Sequence, residues 1–210
     1  MQGRRYILGF LCYFLVFYMS GCVRRFDSDN RLGSPTSYPL TKSTPDTNAV
    51  IILDSAKPFK LRLGYGGWGR LSTITIDQKG KTVWSRARSE VRRIPIQGDV
   101  NMGRWVKADF KLSPESVQCI LASVDKLKLL QLDRAYYAAV FDGAQWIFEF
   151  EQGSQTKSIY FSNHFPREIQ TFAQLLQAEF KKSGVDKVHW SDLPDGSVFE
   201  AEQILWNSIK

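Results

Sequence analysis

The chain has 210 residues, 43% of them hydrophobic and 13% aromatic, with a formal net charge of +7. That length suits one domain with a sizeable apolar core and argues against several. The charge is concentrated: residues 79–93 hold Lys79, Lys81, Arg86, Arg88, Arg92 and Arg93 against Glu90 alone, a local +5.

At the start of the chain, Arg4 and Arg5 precede an apolar run of 14 residues from Tyr6 to Met19. A membrane-spanning helix needs about 20 apolar residues, whereas the apolar core of an export signal has about 7 to 15. Met19-Ser20-Gly21-Cys22 follows directly. Small residues suit a narrow peptidase cleft, and the thiol after them can be alkylated to a thioether. This segment resembles the lipobox of bacterial lipoproteins, with Met19 where the family most often has Leu. The resemblance covers residues 1–22. It implies a signal peptide over 1–21, cleavage before Cys22, and acylation of the Cys22 sulfur and of the new amino terminus. Several acyl chains anchor a protein durably where one does not. The implied location is the cell membrane or outer membrane, on its extracytoplasmic side. An uncleaved signal anchor extended to Val23 is the alternative, and it too puts the domain at a membrane. With Cys12 in the signal and Cys22 lipidated, Cys119 stands alone and no intramolecular disulfide is expected. Loss of Arg4 and Arg5 with the signal leaves +5, the same as residues 79–93 carry.

Val23 to Ala49 is polar and contains Pro35, Pro39 and Pro45. Residues 22–49 therefore read as a lipidated cysteine and flexible tether, the alternative being an arm docked on the domain. A single domain is expected over 50–210. Val50 to Leu53 and Phe59 to Leu63 are strand candidates. Leu71 to Ile76 is another, with Ile74 and Ile76 on one face. Asp77-Gln78-Lys79-Gly80 predicts a turn, and Lys81 to Arg88 the returning strand. Arg104 to Phe110 can add one more.

Ser113-Pro114-Glu115 predicts a helix start, because serine caps orphan N–H groups, proline suits the first turn and an acid suits the positive end of the dipole. Val117, Ile120, Leu121, Val124 and Leu127 form its apolar stripe, with Cys119 off it. Gln145 to Glu151 and Thr156 to Phe161 predict a second hairpin. Trp146, Phe148 and Phe150 take its core face, Ile147 and Glu149 the other. Pro166 opens a second helix to about Lys181, and the capping-box spacing at Ser197 a short third one. The order of elements argues an α+β fold, an antiparallel sheet from two hairpin-plus-helix units with a short C-terminal helix. In that order alone, over Ile51 to Phe180, it looks like small uncharacterised domains found behind bacterial lipoprotein signals.

The chemistry-bearing motifs are few. Gly64, Gly66 and Gly69 match G-x-G-x-x-G, but a dinucleotide loop must open a helix and here a strand begins at Leu71, so a flexible turn is expected. Tyr65 and Trp68 at its tip are candidate contacts. His164 and His189 lack metal-ligand spacing, and no nucleophile elbow accompanies them. No catalytic residue, metal or cofactor is therefore assigned. Lys79, Lys81, Trp84, Arg86, Arg88, Arg92 and Arg93 are candidate contacts to an anion or partner, since guanidinium beside indole suits phosphate or carboxylate. The expectation is a lipid-anchored binding or interaction domain of the cell envelope, without catalysis. Its partners would be the membrane and an acidic envelope polymer or envelope protein, and not nucleic acid. The alternatives are an envelope hydrolase built around His164 and His189, and a structural subunit docking through the glycine loop and terminal helix.

Overall fold

The computed structural model describes residues 36–48, 50–67, 70–87, 105–140 and 143–193. The signal and lipobox, Trp68, Arg88, Arg92, Arg93 and the helix expected from Ser197 lie outside these. The described strands are β1 (Lys42–Thr44), β2 (Phe59–Gly67), β3 (Arg70–Asp77), β4 (Lys81–Ala87), β5 (Trp105–Lys111), β6 (Ala135–Tyr137), β7 (Ala144–Gln152), β8 (Gln155–Ser162) and β9 (Ser191–Asp192). Helix α1 (Pro114–Lys126) follows β5, and α2 (Arg167–Lys182) follows β8. The fold is α+β.

One sheet takes all the described strands in the order β1-β6-β8-β7-β2-β3-β4-β5-β9. Its pairs are antiparallel except β6 with β8, which corrects the expectation of a wholly antiparallel sheet. The two strand-and-helix units meet where β2 pairs with β7, placing Leu61 opposite Phe150, Leu63 opposite Phe148 and Tyr65 opposite Trp146. Period-two alternation then puts Leu61, Leu63, Ile74, Ile76, Trp84 and Phe148 on one face, all buried. Both helices present their stripes to that face. Ser113 Oγ accepts from Ser116 N at 3.1 Å, Pro114 opens α1, and Val117, Ile120, Leu121 and Val124 are buried. Helix α2 buries Ile169, Phe172, Ala173, Leu176 and Phe180. Phe172 meets Phe148 edge to face at 5.8 Å, and Phe180 lies 5.6 Å from Trp84.

Three expectations are corrected. Gly64, Gly66 and Gly67 are not a flexible turn but lie in the C-terminal half of β2, paired with both β3 and β7. The segment Val50 to Leu53 is no strand: Ile51 is buried in the core while Ile52 is 85% exposed. Ile147 and Glu149 do face away from the helices, yet both are buried. Burial of Glu149 is offset by Arg62, which sits opposite it in β2 and donates from both Nε and Nη2 to Oε2. Burial pulls the Arg62 guanidinium below its ordinary value, opposed by the nearby Glu151 carboxylate.

The third correction moves the domain boundary. Residues from Ser37 onward belong to the folded domain rather than to a tether ending at residue 49. Phe165 N donates to Ser37 Oγ at 3.0 Å, Tyr38 N to Asn163 O at 2.9 Å and Thr41 N to Tyr137 O at 2.8 Å. Lys42–Thr44 then pairs with β6, and Asp46 Oδ2 accepts from the buried Lys157 Nζ at 2.5 Å. This arm is held by backbone hydrogen bonds and one ion pair rather than by apolar burial, so its low hydrophobicity concealed it.

Candidate functional site

Strand geometry distributes the basic run. In β4, Thr82 and Trp84 point to the helices and are buried, so Lys81, Val83 and Ser85 take the opposite face and Arg86 shares the face of Trp84. Trp84 is therefore a core residue and no contact surface. Its indole Nε1 donates to Ser72 Oγ at 2.7 Å. Arg86 lies with its guanidinium carbon 4.0 Å from the Trp190 ring centroid, and Trp190 in turn meets Trp84 edge to face at 5.6 Å. Cation–π stacking here ties the C-terminal segment to β4. Lys81 and Arg86 stand at opposite ends of the strand, about 17 Å apart at roughly 3.3 Å per residue. Arg86 therefore does not converge with Lys79 and Lys81.

A different cluster forms instead at the β3–β4 turn. Asp77 Oδ1 accepts from the backbone N–H of both Lys79 and Lys81 at 2.9 Å, and Gly80 takes φ +77 so that its carbonyl can accept from Leu112 N at 2.9 Å. The β4–β5 register sets Lys81 directly opposite Lys111, on the face away from the helices. Lys79, Lys81 and Lys111 are all exposed. Like charges directly opposed across strands are destabilising; Asp77 lies alongside as a counter-charge, and Asp109, two residues from Lys111 on the same face, is paired with Lys107 at 3.2 Å. Lys111 escaped the sequence reading because it belongs to another strand. Its signal was pairing register, which linear charge counts do not carry.

Tyr65 is no loop tip. It lies within β2, half-buried against the core, with its ring edge-on to Trp146 at 6.2 Å. His164 lies beside β8, where its Nδ1 is 2.7 Å from Tyr38 O and its ring stacks on Tyr136. His189 is exposed beside β9, at the other edge of the sheet. Six strand spacings separate β8 from β9, about 29 Å measured along the sheet. The two histidines cannot share one reacting centre in this arrangement. No group of three His, Cys, Asp or Glu among the described residues is placed to hold a metal.

Cys119 borders an open cleft of about 690 Å³ between the start of α1 and the end of α2, lined also by Lys111, Ser113, Ser116, Glu179 and Lys182. Glu179 is 3% exposed. Burial alone would raise its carboxyl, but hydrogen bonds from Lys182 Nζ at 2.6 Å and Ser116 Oγ at 2.7 Å outweigh that and hold it below the ordinary carboxylate value. The same contact raises the Lys182 ammonium. Glu179 thus stays ionised and bridges the two helices. Among the described residues lining the cleft, Cys119 has this carboxylate and no imidazole beside it. Compared with known proteins, the chain matches no family model and no curated protein.

Proposed function

We propose that the chain is a lipid-anchored binding domain of the bacterial cell envelope, without catalysis, and that an acidic envelope component docks at the corner formed by Lys79, Lys81 and Lys111. The anchor rests on one observation, Met19-Ser20-Gly21-Cys22 behind a short apolar run. For the ligand, support comes from the opposed, exposed lysines, whose mutual repulsion an anion would relieve. A multivalent acidic polymer or acidic protein surface matches three ammonium groups on one corner better than a small anion, since the lysines are exposed and the cleft that Lys111 borders is open. Export along this route disfavours nucleic acid as a partner.

Two measurements test this reading. Metabolic labelling with a fatty acid should mark the protein, and Cys22→Ala should abolish the label; label retained by the variant would refute the anchor. Co-sedimentation with envelope fragments should weaken in Lys79→Glu with Lys81→Glu and fall steeply with salt, since screening acts over about 8 Å at physiological ionic strength. Equal sedimentation of both forms at low salt would refute the lysine corner. Arg86 is unsuited to this test, because its reversal would disturb the stack on Trp190.

A further inference from the structure

Resting on the lipid-anchor reading above, we infer that the N-terminal arm is a membrane-contact surface: Tyr38, Leu40 and Lys42 seat on the leaflet that holds the acyl chains of Cys22. The arm is the first described part of the chain after the anchor. Ser37 is fifteen positions after Cys22, so the arm cannot start farther from the anchor than about 54 Å even at full extension. Its side chains suit the place. Tyr38 is 41% exposed and Leu40 47% exposed, and Lys42 is exposed too. An aromatic ring with a polar tip, an aliphatic chain and a cation therefore recur at alternate positions. Tyrosine and lysine are residues that settle at a bilayer interface, the ring at headgroup level and the ammonium reaching toward phosphate on an apolar stem.

The arm's backbone is already fixed. Tyr38 N donates to Asn163 O at 2.9 Å, His164 Nδ1 donates to Tyr38 O at 2.7 Å, Thr41 N to Tyr137 O at 2.8 Å, and Ala139 N to Thr41 Oγ1 at 2.9 Å. Exposed apolar side chains on a rigid, hydrogen-bonded backbone lose little further entropy on contact, which favours binding. Durable membrane association takes more than one signal, and the arm would add a peptide contact to that of the acyl chains.

The molecule carries its own control. Val50 and Ile52 are also exposed, at 54% and 85%, and are more apolar than the arm. They lie at the other end of the strands, since Asp54 N donates to Gln152 at the end of β7 whereas Asn163 N donates to Ala144 at its start. Nine residues of β7 separate those ends, about 27 Å. Exposure alone would send Ile52 to the membrane. Position along the chain sends Leu40 there.

The test uses the full acylated protein with Cys119→Ser, labelled with an environment-sensitive fluorophore at Leu40→Cys or Ile52→Cys and reconstituted into vesicles of phosphatidylethanolamine and phosphatidylglycerol containing brominated lipid. Quenching at position 40 should exceed that at position 52 by about threefold or more, and Tyr38→Ser with Lys42→Glu should reduce it while thermal unfolding stays unchanged. Equal quenching at the two positions, or none at position 40 in protein that carries the acyl mass and floats with the vesicles, overturns the contact and spares the anchor. Quenching at position 40 that appears in native membranes but not in pure lipid overturns it in favour of a protein neighbour. Protein without acyl mass that fails to float overturns both readings.

Discussion

Replacing Asp46 by alanine isolates what holds the arm on the domain. Lys157 sits on the helix-facing side of β8, opposite Phe150, with only 6% of its side chain exposed. Its ammonium donates to Asp46 Oδ2 and to Leu132 O, both at 2.5 Å. Removing one partner of a buried ion pair costs about 3 to 5 kcal/mol, because the remaining charge keeps its desolvation penalty. Here the loss is capped. The arm is an edge held by a handful of hydrogen bonds worth about 0.5 to 1.5 kcal/mol each, and peeling it would admit water to Lys157. The expected loss for Asp46→Ala is therefore about 2 to 4 kcal/mol in urea unfolding of the non-acylated chain. In a Lys157→Met background the same substitution should cost under about 0.5 kcal/mol, because no buried charge remains to be stranded. Equal losses in both backgrounds would refute the argument. Acidity offers an independent reading. Burial alone would raise the Asp46 carboxyl, but hydrogen bonds from Lys157 and from the Asn48 backbone outweigh it, so its value is lowered on folding. Its contribution is then complete above the ordinary carboxylate range and lost as pH falls through the folded value. Amide exchange at Tyr38 and Thr41 should accelerate in that window, and Asp46→Asn should remove the pH dependence.

Further outcomes follow from other sites. Gly80→Ala should cost about 1 to 3 kcal/mol, because φ is +77 and a Cβ would stand 2.6 Å from Leu112 O. Gly153→Ala, at φ +62 with nothing within 4 Å, should cost only about 1 kcal/mol for the backbone conformation, and melting curves of the pair separate clash from conformation. Glu179→Gln should flatten the acid limb of the stability profile, since a lowered carboxyl stabilises above its unfolded value and ceases to as pH falls. Phe172→Ala, at 0% exposure against Phe148, should cost about 3 to 5 kcal/mol by denaturant titration. His189→Ala should leave complementation of a deletion strain intact, and loss in a folded, localised variant would favour an enzyme; His164 is left in place for this test because it also holds Tyr38 O of the arm.

The elements that sequence revealed are those whose side chains advertise their period. Ser113-Pro114 and the stripe Val117, Ile120, Leu121, Val124 could only be an amphipathic helix, and α1 starts there. Trp146, Phe148 and Phe150 alternate, and β7 buries all three. Where side chains are silent, the reading failed. Gly64, Gly66 and Gly67 display no pattern because they have nothing to alternate, so a strand fixed by pairing with two neighbours passed for a turn. The face of Glu149 was legible from alternation but its burial was not, because its partner Arg62 is 87 positions away in sequence. The arm passed for a tether for the same reason, its anchoring lysine being 111 positions from Asp46.

Linear charge counting misplaced the candidate site by the same physics. A run from Lys79 to Arg93 carries a local +5, yet a strand alternates faces every residue and advances about 3.3 Å each time. Lys81 and Arg86 therefore point to opposite faces and stand about 17 Å apart, roughly twice the screening length at physiological salt. At that separation they act on an anion as independent charges. Lys111, by contrast, is 30 positions from Lys81 in sequence and directly opposite it in space. Two ammonium groups within one screening length reinforce each other's potential, and Lys79 in the adjoining turn adds a third. Anion affinity at this corner should consequently respond to Lys111→Glu as strongly as to Lys81→Glu, whereas substitution at Lys60, flanked by Asp77 across the β2–β3 pairing and by Glu151 across the β2–β7 pairing, should change it less because carboxylates oppose its charge on both sides. Equal effects of Lys60→Glu and Lys111→Glu in co-sedimentation would mean that the whole sheet end, and not the opposed lysine pair, sets the attraction.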